Sequence, residues 1–211
     1  MLSKEQKLSL TETANRYHSA LDRATASYLQ ERGIVKEAAD TFLLGTVKDP
    51  APGHEHAEGC LAIPYRTPTG VVGIKFRKID GSSPKYLWPT GQKIGMFNVV
   101  DLHTTSHTIA ICEGELDTLV MSELVGIPAV GIAGVTQWKP HFPKLFEGFD
   151  RVVIFADNDV KEDGRNPGME LAKRIKEDVE KAVVVNLPGN TDVNQTFLDG
   201  GKDWLLERAI G

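Results

Sequence analysis

The 211-residue chain has little cysteine: Cys60 and Cys112 lie far apart, and neither sits in a CxxC pair. That argues against a disulfide framework and a cysteine-rich zinc ribbon. No long uncharged apolar run exists, so nothing reads as a membrane span. The first residues, MLSKEQKLSLTETANRYH, are too polar for a signal peptide. The expected location is the cytoplasm, with no membrane partner. Aromatic residues make up only 7%, which leaves few side chains for stacking on bases. No internal repeat and no low-complexity segment is found.

What is present is ordinary for a globular protein. Hydrophobic residues are 41% and charged residues 25%, enough for a core in one large domain or two small ones. The net charge of −5 hides an asymmetry. Residues 1–100 carry 13 Lys/Arg against 10 Asp/Glu, and residues 101–211 carry 11 against 19. The stretch from Gly59 to Gly95 holds six basic residues (Arg66, Lys75, Arg77, Lys78, Lys85, Lys93) and one acid, Asp80. Such polarity marks either a nucleic-acid surface beside a metal site or a solvated hairpin face.

Ser9-Leu10-Thr11-Glu12 reads as a capping box that opens a helix running to about Leu21. Asp22 can cap a second helix, ended by Gly33 in a left-handed position. Residues 48–59, rich in Pro, Gly and His, read as a loop. CLAIPYR, the turn Thr67 to Gly70 and VVGIKFRKI form a β-hairpin signal. Alternation along the second strand puts Ile74 and Phe76 on one face and Lys75 and Arg77 on the other. From residue 107 the pattern becomes strand, helix, strand, short helix, strand, helix, strand, helix. Its strands are continuous apolar runs, as expected for a parallel sheet covered by helices. The expected fold class is α/β, an α+β N-terminal subdomain with a β-hairpin over residues 1–104 and a parallel-sheet domain over 105–211.

Carboxylates gather where these strands end. Glu113 follows Thr108 to Cys112, and Gly114 then permits a sharp turn. Asp117 lies one helical turn further on. Asp157-Asn158-Asp159 follows RVVIFA. In open parallel sheets, ligands bind beyond the carboxyl ends of the strands. Clustered carboxylates repel unless a cation joins them, and hard oxygen donors suit Mg²⁺. A lone Asp after a strand is more often a helix cap, but four such acids together favour a metal.

Glu113-Gly114-Glu115-Leu116-Asp117 with Asp157-Asn158-Asp159 resembles the Toprim domain of primases, topoisomerases, some nucleases and recombination mediators. By that resemblance Glu113, Asp117, Asp157 and Asp159 are catalytic, and the metal ligands are Glu113, Asp157, Asp159 and Asp192. The cofactor is Mg²⁺ or Mn²⁺. TyrLeuGlnGluArgGlyIle (28–34), LAIPYRTPTGVVGIKFR (61–77) and SerProLysTyrLeuTrp (83–88) resemble the N-terminal part of bacterial and phage replicative primase cores (DnaG-type). Arg77, Lys85 and Lys93 then match basic residues that face nucleotide or template phosphates. Asp192-Val-Asn194 departs from the Asp-x-Asp of bacterial primases and is closer to a phage form.

The resemblance implies a primase that makes RNA primers from nucleoside triphosphates on single-stranded DNA, with a cleft between the two subdomains. Its partners would be template, nucleotides, RNA primer, a separate zinc-binding domain or protein and a replicative helicase. If the protein is phage-encoded, its place is the host cytoplasm. The alternatives are a Toprim nuclease and a non-catalytic recombination mediator. His54-x-His56 with Cys60 could hold zinc, but a four-ligand set is not evident, and both histidines are expected to face solvent.

Overall fold

The computed structural model describes residues 2–92, 95–158, 160 and 163–211. The chain divides into two compact units, residues 1–93 and 94–211. The second unit thus begins before the expected start at residue 105. The reason is packing. Phe97 and Gly131 exchange backbone hydrogen bonds, and Asp101 accepts from Ser122 Oγ at 2.7 Å and from Ala129 N at 2.9 Å.

The first unit opens with helix α1 (Lys4–Ser19), α2 (Arg23–Glu31) and α3 (Lys36–Thr41). The capping box is Ser3 with Gln6, six residues before the expected one, and Ser9 lies inside the helix. Ser3 Oγ accepts from Gln6 N at 3.1 Å and Gln6 Oε1 accepts from Ser3 N at 2.8 Å, which closes the box there. Asp22 caps α2 as expected, accepting from Thr25 N at 2.9 Å. That bond holds its carboxyl below the usual carboxylate range. Gly33 has the left-handed conformation, φ +70°.

Strands β1 (Gly45–Thr46), β2 (Leu61–Thr67), β3 (Gly70–Arg77) and β4 (Tyr86–Leu87) form an antiparallel sheet in that order. β2 and β3 are the expected hairpin, with a bulge between Tyr65 and Arg66. Ile74 and Phe76 are fully buried with Ala14, Tyr17 and Val71. Burying a Phe of this kind contributes roughly 1.5–3 kcal/mol. Thr11 Oγ1 accepts from Val71 N at 3.0 Å, tying α1 to the hairpin.

The second unit holds β5 (Thr108–Cys112), α4 (Glu115–Leu119), β6 (Ala129–Gly131), β7 (Arg151–Ala156), α5 (Pro167–Asp178), β8 (Ala182–Asn186), α6 (Val193–Leu198) and α7 (Lys202–Ile210). α4 continues into π-helical turns, Val120–Val125, and stops at Gly126 with φ +88°. The sheet is parallel in the order β6-β5-β7-β8. Ile109, Ile111, Val152 and Ile154 form its core with Phe146, Leu171 and Ile175. α6 is an element the sequence reading did not contain. Among the described residues no helix is long and apolar enough to cross a membrane.

Candidate functional site

In the second unit the strand ends carry the acids. β5 and β7 are neighbours, with Ile111 opposite Ile154. Glu113 and Asp157 therefore leave adjacent strands, and both line one small cavity with Cys112, Ala156 and Gly168. Asp117 is buried, and its Oδ1 accepts from Asn194 N, the second residue of α6, at 2.9 Å. The Cys112 thiol reports the cluster. Burial pushes its pKa well up, and the charges of Asp117 and Asp157 push it further. It stays protonated and is a core group.

Gly114 has an extended backbone, φ −98° and ψ 156°, rather than the sharp turn expected of it. What it supplies is room: a Cβ there would lie 2.2 Å from Asp117 Oδ2. Asp192 caps α6, its Oδ1 accepting from Gln195 N at 2.7 Å. Thr191, just before it, accepts from Asn158 N at 3.2 Å. The loops after β7 and β8 are thus joined. Asp159 lies outside the described residues.

The donors fit a hard cation. Glu113 and Asp157 offer only carboxylate oxygens, and Mg²⁺ commonly takes one or two carboxylates while keeping several waters. Among the described residues no group of three His, Cys, Asp or Glu converges as a complete metal cage.

In the first unit, Lys75 and Arg77 lie on the face opposite Ile74 and Phe76, but that face is not bare. Each is only 5% exposed. Lys75 Nζ sits 3.9 Å from the Tyr86 ring centroid and 5.4 Å from that of Trp88. The Arg77 guanidinium lies between Tyr28 and Tyr86, at 5.5 and 5.1 Å, and donates to Tyr86 Oη. The rings face these cations with their negative faces, which offsets burial of the charge. A pocket of about 270 Å³ opens beside them, lined by Tyr28, Arg32, Arg77, Lys78, Ser82 and Lys85. Among the described residues, Tyr28 Oη and Arg77 Nε are buried there without a hydrogen-bond partner. Two buried donors and four cations thus line one pocket. Lys93 lies outside the described residues.

A Toprim domain matches residues 108–203. The Gene 57 protein of Mycobacterium phage D29 is 42% identical over 155 residues, covering 71% of this chain and 97% of that protein. The chain is a Toprim protein of that phage protein's family. Its fold is that of DnaG primase catalytic cores. The RNA polymerase domain of Mycobacterium tuberculosis primase DnaG, in complex with a double-stranded DNA oligomer with a 6-nucleotide overhang, gives a TM-score of 0.76 at 21% identity, covering 100% of this chain and 81% of that one. The Aquifex aeolicus primase (zinc-binding and RNA polymerase domains) gives 0.77 at 22%, covering 99% and 62%.

Sequence reasoning missed several residues around the Toprim site and the basic pocket. Arg32 lies four residues after Tyr28, on the helical spacing that stacks it over that ring at 4.8 Å. The signal was inside the quoted stretch 28–34. Asn194, where the Asp-x-Asp pattern is broken, bonds Asp117 through its backbone N–H. Trp138 is core and donates to Asp178 Oδ2 at 2.7 Å. His54 is not solvent-exposed but buried, bonded to Tyr17 Oη at 2.9 Å.

Proposed function

We propose that this chain is the catalytic core of a DNA primase, probing single-stranded DNA as template and joining ribonucleoside triphosphates into RNA primers. One observation carries the reading. One unit carries carboxylates at the strand ends of a Toprim sheet, and the other holds a pocket lined by Arg32, Arg77, Lys78 and Lys85. The primase-core fold spans both units, which supports pairing the two sites in one reaction.

Glu113, Asp157 and Asp159 would hold Mg²⁺ or Mn²⁺, with Asp192 near a second position. When bound, the cation lowers the pKa of a primer 3′-hydroxyl and offsets charge at the attacked α-phosphate. Asp117 does not need to touch it. Its bond to Asn194 N fixes α4 against α6 and so orients Glu113 at the start of the turn. Arg77, Arg32, Lys85 and Lys93 would grip nucleotide and template phosphates, the guanidiniums offering paired donors. Such contacts position a strand without reading its bases. Template choice would then fall to a zinc-binding domain or protein of the kind found in the Aquifex primase, and delivery to a replicative helicase.

The deciding experiment supplies single-stranded templates, labelled nucleotides and Mg²⁺ or Mn²⁺. Incorporation into short RNA supports the primase reading. Cleavage of the template without incorporation would replace it with a Toprim nuclease. Binding with neither reaction would leave a recombination-mediator role.

A further inference from the structure

The loop that carries Asp157 is held by a relay of side-chain amides. Asn166 caps α5, its Oδ1 accepting from Met169 N at 3.0 Å. Its Nδ2 then donates to Asn158 Oδ1 at 3.0 Å. Asn158 Nδ2 in turn donates to the Gly189 carbonyl. The two ends fix the direction of the relay. A backbone N–H can only donate and a carbonyl can only accept, so neither amide can flip without breaking its outer bond.

The backbone adds to this hold. Asn158 N donates to Thr191 O at 3.2 Å, and Val160 N donates to Asn190 Oδ1 at 3.2 Å. On the other side Gly168 packs against Asp157 so closely that a Cβ would lie 2.4 Å from its carbonyl oxygen. The residue after Asp157 therefore bonds two different elements through one side chain.

We propose that Asn158 is a positioning residue: its amide locks the Asp157 loop between the α5 cap and the loop at Gly189, and so sets the affinity of the carboxylate site for a divalent cation. This rests on the metal reading of that site. Asn158 itself need not touch the cation. A ligand carboxylate held in place loses less freedom on binding; groups bonded directly to a ligand are typically worth about 10- to 100-fold in metal affinity, which sets the scale for one acting through the neighbouring residue.

The test titrates Mn²⁺ alone into the full chain by calorimetry, and melts each variant in EDTA and in Mn²⁺. Asn158→Ala is expected to weaken Mn²⁺ binding about tenfold or more and to shrink the metal-induced rise in Tm. Asn166→Ser keeps a hydroxyl to cap α5 but loses the donor to Asn158. It is expected to shift affinity in the same direction by less. The double variant should bind no more weakly than Asn158→Ala, because both changes cut one relay. If Asn158→Ala melts too low in EDTA, Asn158→Ser takes its place with the same expectation. Wild-type Mn²⁺ affinity in a folded Asn158 variant would overturn the proposal, as would full additivity in the double variant. Asp157→Ala separates the two levels. If it also binds Mn²⁺ like wild type, the metal reading fails and this inference falls with it. If it loses Mn²⁺ while Asn158→Ala keeps it, the positioning role alone is wrong.

Discussion

The two units build their polar sites in opposite ways. In the first, the cations lie along a strand: Lys75 and Arg77 share one face of β3, and the apolar Ile74 and Phe76 share the other. In the second, the acids lie beyond the strand ends, on segments separated by 44 positions between Glu113 and Asp157. A face of an antiparallel hairpin is set by a period of two and a local turn. A strand-end cluster in a parallel sheet needs crossover connections to bring distant segments side by side. The charges divide the same way, with a net of +3 in residues 1–93 and −8 in 94–211. The difference teaches that the face of a hairpin strand is set locally and a strand-end carboxylate cluster topologically.

The sharpest break of that comparison is Asp157→Ala. Nucleotide incorporation should fall at least about a hundredfold, since several kcal/mol of charge stabilisation is lost at tenfold per 1.36 kcal/mol. Asp159→Ala is expected to act alike. Thermal melting without metal should stay level or rise slightly, as carboxylate repulsion is relieved. Wild-type synthesis by both variants would remove the carboxylates from the chemistry.

Gly114→Ala tests how tightly the strand-end site is packed. Its Cβ must displace Asp117 Oδ2, and Asp117 cannot move without straining its bond to Asn194. A loss of about 1–3 kcal/mol in stability is expected, read from denaturant unfolding. An unchanged midpoint would show that Asp117 has room the structure does not display.

Arg77→Ala and Lys85→Ala address the other unit. Each should weaken single-stranded DNA or nucleotide binding by about tenfold and lower the salt slope by roughly one contact, with metal affinity unchanged. Titration against salt checks this. An equal loss of Mn²⁺ binding would contradict the separation of the two sites.

The smallest effect concerns His54. Tyr17 Oη accepts from Ala51 N at 2.8 Å and shares a hydrogen bond with His54 Nδ1 at 2.9 Å. Burial lowers the His54 pKa from 6.5, with help from His56. The sign follows from linkage. Above pH 6.5 the ring is neutral folded or unfolded, and its stabilisation is complete. As pH falls below that value the unfolded chain takes up a proton that the folded one resists, and stability declines. Melting from pH 7.5 to 5.5 should therefore show a slope that flattens in His54→Gln. An identical slope would assign it to other groups.

Both folding patterns were legible because they rest on local periodicity. The hairpin could be read from alternation around Thr67 to Gly70, and the α/β half from apolar runs spaced by helices. The acids at strand ends were legible for the same reason. α6 was not, because six residues carry too little pattern, and the start of α1 was misplaced because Ser3 with Gln6 and Ser9 with Glu12 both have capping-box spacing.

The sequence by itself determined the fold class and the charge division, since composition and period are properties of the chain, and its resemblance to Toprim and primase cores named the candidate phosphate and metal ligands. Only the tertiary structure decided which of them meet. It covered Lys75 and Arg77 with Tyr28, Tyr86 and Trp88, gave Asp117 a backbone partner 77 residues away, and turned Asn158 from a spacer into a link between two loops. The reason is that hydrogen bonds and ring contacts act over a few ångströms, and the distances between remote segments are fixed only when the sheet brings their ends together.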